Sequence, residues 1–132
     1  MNKTTSGNLS SEWFEKGNHD IKNAVILLDN DGYTDTICFL CQQAAEKYLK
    51  GYLAFMKKES PKMHSLPALL QLCISSDNDF SKLIDEIRSL DKYYIDTRYP
   101  LGSPILYSKN ETKEAIKAAE TVVDFISGKT KL

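Results

Sequence analysis

The side chains best suited to bind an anion or move a proton fall in two stretches of the chain. In the first, CFLCQQAAEKYLK from Cys38 to Lys50, four polar residues recur at intervals of three and four: Gln43, Glu46, Lys47 and Lys50. Residues at this spacing share one helix face, so we predict an exposed polar ledge, defined by these four residues. In the second stretch, Thr97-Arg98-Tyr99-Pro100, a planar guanidinium suited to phosphate or carboxylate lies just before a proline that disfavours helix.

Both stretches also have purely structural explanations. Pairs Gln43–Lys47 and Glu46–Lys50 at i,i+4 would account for the polar ledge as a solvated helix face. Arg98 would be structural if it closed a buried ion pair with Asp20 or Glu46, since such networks also fix charges. Spacing by itself does not decide between these readings.

The chain has two histidines, and they have different sequence contexts. His19 lies between Asn18 and Asp20, and we predict that it sits at the polar edge of the first helix. His64 precedes the third helix. It would be able to donate to a phosphate if it folded back over the second helix, near Lys47 and Lys50. The alternative is a histidine that anchors a turn through hydrogen bonds.

Three cysteines lie inside apolar patterns, at Cys38, Cys41 and Cys73. The C-x-x-C spacing of the first two occurs within a helical pattern, with no second cysteine pair and no suitably spaced histidine. We therefore predict small buried hydrophobic residues in a reducing compartment. No metal site and no cofactor are expected, and the expected location is the cytoplasm.

The composition predicts one soluble globular domain. The chain has 132 residues, a formal net charge of −1, 42% hydrophobic and 27% charged residues, so no global field draws it to nucleic acid or membrane. No apolar run approaches the ~20 residues that span a bilayer, so we expect no membrane association. We predict a disordered N-terminal lead at residues 1–9, one domain at 10–128 and a tail at 129–132.

Hydrophobic periodicity and capping signals predict an all-α, up-and-down bundle of four to five helices. The first helix should run from about Ser10 to Leu28, with Ser10 or Ser11 as its N-cap, and the second from about Tyr33 to Lys57. Ser65 should cap the third. The fourth is predicted from about Phe80 to Tyr94. The last should open with a capping box from Ser108 to Glu111 and stop at Gly128.

Three sequence segments resemble the HEPN domain family: CQQAAEKYLKGYL from Cys41, HSL from His64 and RYP from Arg98. The resemblance extends from Trp13 to about Ile126. It implies a small helical domain, usually a homodimer, that is often found with a minimal nucleotidyltransferase. It also implies a groove along the second helix, with this ligand-binding set: Arg98, Tyr99, Lys47, Lys50, Glu46, Gln43 and His64.

Ribonuclease members of that family carry an Arg, then four to six residues, then a His that is often followed by a Tyr. Arg98 matches the first position, but no histidine follows it anywhere in the chain. Tyr107 is a poor match to the tyrosine that ends the motif, because the histidine before it is missing. The missing group is the one that would move a proton or stabilise charge at the attacked phosphate, so we assign no catalytic residue.

The sequence therefore favours a non-catalytic binding module for a nucleotide or another phosphate-bearing ligand, RNA included, acting with a nucleotidyltransferase partner. Two alternatives stay open. One is a structural protein–protein partner subunit. The other is a divergent ribonuclease toxin of a toxin–antitoxin pair, lacking the usual histidine.

Overall fold

The computed structural model describes residues 6–58, 62–96 and 106–131, and within them it is built from helices without a strand. The α-helices are α1 (Ser6–Asp29), α2 (Thr34–Phe55), α3 (Leu66–Ser76), α4 (Ile84–Asp91), α5 (Tyr93–Asp96) and α6 (Lys109–Lys129), with a 3₁₀ helix at Asn78–Leu83. The predicted all-α bundle is confirmed. The predicted site residues Arg98 and Tyr99 lie outside the described residues.

Helices α1 and α2 form a closely packed antiparallel pair in which glycines make room for aromatic rings. A Cβ atom at Gly17 would lie 2.7 Å from the Tyr48 ring, and one at Gly51 would lie 2.4 Å from the Phe14 ring. The two rings are themselves in contact, with centroids 4.9 Å apart. This exchange of small and large side chains lets the two backbones approach closely and fixes the register of α1 on α2.

The core-facing stripe predicted for α2 is confirmed. Its members are buried against α3, α4 and α6: Cys38, Cys41, Ala45, Leu49 and Tyr52. All three cysteines are buried free thiols, as predicted. Burial raises the pKa of Cys38 to about 11 and that of Cys73 to about 12, and it raises the pKa of Cys41 as well. In this core the thiols behave as small hydrophobic groups.

The first helix begins earlier than its sequence signals predicted. Helix α1 starts at Ser6, inside the predicted N-terminal lead, so the N-cap predicted at Ser10 or Ser11 is wrong. Ser10 is instead buried within the helix. Serine has only a modest helix penalty, so Ser10 is compatible with a position inside α1.

Helices α1 and α2 each end with the same backbone motif. Asp31 and Lys57 have φ of 58°, the left-handed conformation that commonly follows a helix. After α2, the Lys57 N–H donates to the Ala54 carbonyl at 2.9 Å and the Lys58 N–H to the Leu53 carbonyl at 2.8 Å. These bonds satisfy carbonyls that the end of the helix would otherwise leave unpaired.

The second half of the chain follows the predicted caps more closely than the predicted lengths. Ser65 and Ser108 cap α3 and α6 as expected. The predicted fourth helix is divided into the 3₁₀ helix, α4 and α5. Phe80 and Leu83 are buried in the 3₁₀ helix, because residues three apart align on one side of that geometry too. Gly128 lies inside α6, so its assignment as the stop residue is wrong. None of the helices described has both the length and the apolarity needed to cross a bilayer.

Candidate functional site

Four side chains converge where the segment before α3 crosses α2, and we call them the Glu46 cluster: Gln42, Glu46, Lys50 and His64. Glu46 Oε2 is 3.0 Å from Lys50 Nζ and 2.9 Å from His64 Nδ1. Gln42 Nε2 lies 3.4 Å from both Glu46 Oε1 and the His64 carbonyl. One carboxylate therefore organises an amide, an ammonium and an imidazole.

The Glu46 cluster is mostly covered, which corrects the prediction of an exposed polar ledge. Glu46 is 4% exposed and Lys50 6% exposed, while Gln43 is partly buried. Two neighbours provide the cover. His64 lies over Glu46, and Lys50 Nζ is 5.4 Å from the centroid of the Trp13 ring on α1. The i,i+4 pair Glu46–Lys50 does form, but as a buried ion pair.

His64 is the part of the cluster that reaches the surface. Its side chain is 53% exposed, and its ring stacks on Tyr94 of α5 with centroids 4.8 Å apart and planes 14° from parallel. The histidine does fold back over α2, which was the condition for its predicted role. Nδ1 is directed at Glu46, and the Nε2 edge bonds to no described residue.

Lys47 has a different partner from the other members of the polar ledge. Its Nζ lies 2.7 Å from Asp20 Oδ2, so the pair joins α2 to α1. Next to it, the Tyr48 hydroxyl donates to Asn18 Oδ1 at 2.7 Å. A largely buried carboxylate needs a donor, and Lys47 supplies one to Asp20. Asp20 therefore acts as a structural acceptor between the two helices.

Two glutamine side chains in or beside the cluster have a buried carbonyl oxygen. The sequence reasoning placed Gln43 in the ligand-binding set but did not single out Gln42. Gln42 Oε1 and Gln43 Oε1 are buried without a hydrogen-bond partner among the described residues, and Gln42 is fully buried. A buried acceptor without a donor is costly, so an ordered water beside either oxygen would gain a bond. The signal for Gln42 was its position between the core stripe and the polar ledge.

A second polar contact fixes the helix that carries Tyr94. The Tyr93 hydroxyl donates to Glu111 Oε2 at 2.7 Å, and Lys92 Nζ lies 3.2 Å from the same oxygen. The hydrogen bond from Tyr93 lowers the pKa of Glu111, while burial raises the pKa of Tyr93. The carboxylate predicted to complete a capping box thus ties α5 to α6, although Ser108 Oγ still accepts from the Glu111 N–H.

Two cavities lined by described residues lie away from the Glu46 cluster. One cavity, of about 630 Å³, lies between α4 and α6 and is lined by acidic and basic side chains that include Glu86, Arg88 and Lys117. A smaller one of about 240 Å³ lies beside Leu53 and Leu72. In the described ranges no group of three or more His, Cys, Asp or Glu side chains is placed to hold a metal ion.

The structure thus brings together some of the predicted site residues. Glu46, Lys50 and His64 are in contact, whereas Lys47 pairs with Asp20. Gln43 lies one helical turn before Glu46 and Lys47 on α2. Ligand binding by Gln43, Glu46, Lys47, Lys50 and His64 remains a prediction, as it does for Arg98 and Tyr99.

Comparisons with known proteins give one family and two similar structures. A model of the HEPN domain matches residues 10–129. The crystal structure of TT1696 from Thermus thermophilus is similar with 31% identity and a TM-score of 0.76, covering 92% of this chain and 98% of that one. The crystal structure of ST0689, an archaeal HEPN homologue, is similar with 28% identity and a TM-score of 0.75, at the same coverage of 92% and 98%. No curated protein matches the sequence at a significant level.

Proposed function

The chain belongs to the HEPN domain family, and we propose that it is a non-catalytic binding module that takes a nucleotide or another phosphate-bearing ligand at the surface of the Glu46 cluster. In this proposal it works with a nucleotidyltransferase partner. His64 contacts the ligand, Glu46 and Lys50 hold His64 in place, and Arg98 supplies a guanidinium for the phosphate.

The observation that carries the proposal is the orientation of His64. Its Nδ1 is 2.9 Å from a buried carboxylate oxygen, its ring is stacked on Tyr94, and about half of its side chain is open to solvent at 53% exposure. A surface imidazole is usually mobile, whereas this one is held on two sides with one edge outward. Preorganisation of this kind lowers the entropic cost of binding.

Support for a non-catalytic role comes from the sequence. A ribonuclease of this family would need a histidine after Arg98, and the chain has none there. The members of the Glu46 cluster are also engaged with one another: Lys50 faces Glu46 and the Trp13 ring. For Glu46 and Lys50, these contacts suit groups that orient a neighbour better than groups that must change their protonation during a reaction.

The test is thermal unfolding against a panel of nucleotides and short RNAs. A ligand present at 100 times its Kd and bound only to the folded state should stabilise it by about 2.7 kcal/mol. We expect one class of phosphate-bearing ligand to raise the Tm of the wild type, and we expect His64→Ala and Arg98→Ala to lose that rise. His19→Ala is the matched control, because His19 is exposed on α1 away from the cluster. Cleavage of the RNA by the wild type would contradict the non-catalytic part.

The nucleotidyltransferase partner enters this proposal through the family resemblance. Co-expression with a minimal nucleotidyltransferase encoded beside this chain, followed by size-exclusion chromatography, tests it directly. Elution as one complex would support the pairing. Separate elution at micromolar concentration would remove the partner from the proposal while leaving ligand binding intact.

A second candidate, a protein–protein partner subunit, is favoured by apolar residues at one end of the bundle. Ile26, Tyr33 and Leu106 are large and exposed. The Tyr107 N–H donates to Thr34 Oγ1 at 3.0 Å, which brings Leu106 close to the start of α2. Large apolar side chains that are left exposed often mark an interface. We predict a homodimer, and light scattering that gives a monomer at micromolar concentration would contradict it.

A further inference from the structure

The charges around the Glu46 cluster cancel in pairs. Lys50 is 3.0 Å from Glu46, and Lys47 is 2.7 Å from Asp20. Each lysine is therefore matched by a carboxylate within the described residues of the site. Opposite charges at contact distance present little net field to a ligand. An anion approaching His64 gains little from either ammonium group, although both had been expected to face a phosphate.

The protonation pattern of His64 follows from the same contacts. A carboxylate paired with an ammonium is ionised at neutral pH and can only accept hydrogen bonds. Glu46 Oε2, at 2.9 Å, must therefore accept from His64 Nδ1. In a neutral imidazole one nitrogen carries the proton and the other accepts. When His64 is neutral, Nε2 thus presents a lone pair, and a phosphate oxygen facing it would meet an acceptor.

We infer that a phosphate-bearing ligand binds this site with the uptake of one proton by His64. Protonation turns Nε2 into a donor and adds a positive charge beside the paired charges of Glu46 and Lys50. Both changes favour an anion, and they occur in a single step. The inference rests on the proposed function, because it specifies how the same site accepts a phosphate.

The neighbours of His64 allow the extra charge. From α2 it faces Glu46 and Lys50, and from α5 it faces Tyr94. On α4, Asp91 lies nearby, with its Oδ1 accepting from the Leu66 N–H at 3.1 Å. Lys62 is on the same segment as His64 and is exposed. A bound phosphate would add a negative charge beside the ring and so favour its protonated form.

The experiment measures the Kd of a short oligouridylate without terminal phosphates, between pH 5.5 and 8.5 at constant ionic strength. Its phosphodiester groups keep one negative charge each across this range, so the protein supplies any change. At pH values where free His64 is neutral, uptake of one proton requires the Kd to rise about tenfold per pH unit. This rise corresponds to about 1.4 kcal/mol of binding free energy. Ionic strength is fixed because phosphate contacts depend on salt.

Two variants assign the proton to its residue. His64→Gln keeps a polar side chain of similar reach but does not titrate, so its Kd should be independent of pH and equal to or weaker than the wild-type value at pH 8.5. His19→Gln removes the other histidine of the chain and should keep the wild-type slope. Circular dichroism confirms that both variants fold.

Each outcome separates this inference from the function it rests on. Binding with a Kd that does not change with pH would overturn proton uptake and leave the phosphate site standing. A slope that persists in His64→Gln would also overturn it, because another group would then take the proton. No binding of the oligouridylate at any pH, together with no rise in Tm with any nucleotide or RNA of the panel, would remove both the inference and the proposed phosphate site.

Discussion

The two sides of α2 are both buried, one in apolar packing and the other around a pair of charges. One side carries the thiols Cys38 and Cys41 and packs into an apolar core. The other carries Glu46 and Lys50, whose charges are buried as a pair beneath His64 and Trp13. The apolar side depends on keeping ionisable groups neutral, whereas the polar side depends on keeping two charges together. One helix thus has two ways to lose stability, and each can be tested separately.

Removing one charge of the buried pair should have the largest effect. Glu46→Gln keeps the shape of the side chain but leaves Lys50 buried without its carboxylate, and such a change typically costs about 3–5 kcal/mol. Urea unfolding at pH 7 measures it. The double variant Glu46→Gln with Lys50→Met should regain most of the loss, because the uncompensated charge is then absent. A double variant as unstable as the single one would mean that the cost lies in lost hydrogen bonds.

The thiol side should respond to pH in the alkaline range. The pKa of Cys73 rises from an ordinary value of 9.0 to about 12, and that of Cys38 to about 11, because of burial. Between these values the unfolded chain has released protons that the folded chain retains. Stability is therefore complete below pH 9 and falls as the pH rises, by about 1.4 kcal/mol per pH unit for each thiol.

Urea unfolding at several pH values from 8 to 10 would show this fall. Cys73→Ala should begin from a lower stability, since it leaves a cavity, but its stability should decline less steeply with pH than that of the wild type. Equal slopes in the two proteins would show that Cys73 does not contribute to the alkaline loss. The range stops at pH 10 because the pKa of Tyr93 is also raised by burial and would add its own decline above that.

The partly buried pair Lys47–Asp20 should give an intermediate effect. Its side chains are more exposed than those of Glu46 and Lys50, so Lys47 can turn to water when its partner is lost. We expect Asp20→Asn to cost about 2 kcal/mol, between the values typical of surface and buried pairs. A loss of stability as large as that of Glu46→Gln would show that the degree of burial does not determine how much each pair stabilises the fold.

The sequence predicted local features well and the candidate site only in part, for physical reasons. The caps at Ser65 and Ser108 and the apolar stripe of α2 depend on neighbouring residues, and they are confirmed. The burial of Glu46 depends on His64, which comes from a distant segment of the chain. The spacing of residues along one helix gives no information about such a contact. For the same reason, spacing placed Lys47 and Lys50 on one exposed face, although Asp20 and Trp13 of α1 contact and cover them.

The smallest effect is expected at the exposed pair Lys109–Asp31, and it sets the baseline for the other two. The atoms are 3.4 Å apart, and the side chains are 63% and 87% exposed, so water screens the attraction. Asp31→Asn should change stability by less than about 0.5 kcal/mol. The residue also holds the left-handed conformation that follows α1, with φ of 58°, and asparagine tolerates that conformation as well as aspartate does. The substitution therefore isolates the charge. A loss above about 1 kcal/mol, the upper end for exposed pairs, would show that charge stabilises this fold even where water reaches it, and the ranking of the three pairs by burial would have to be abandoned.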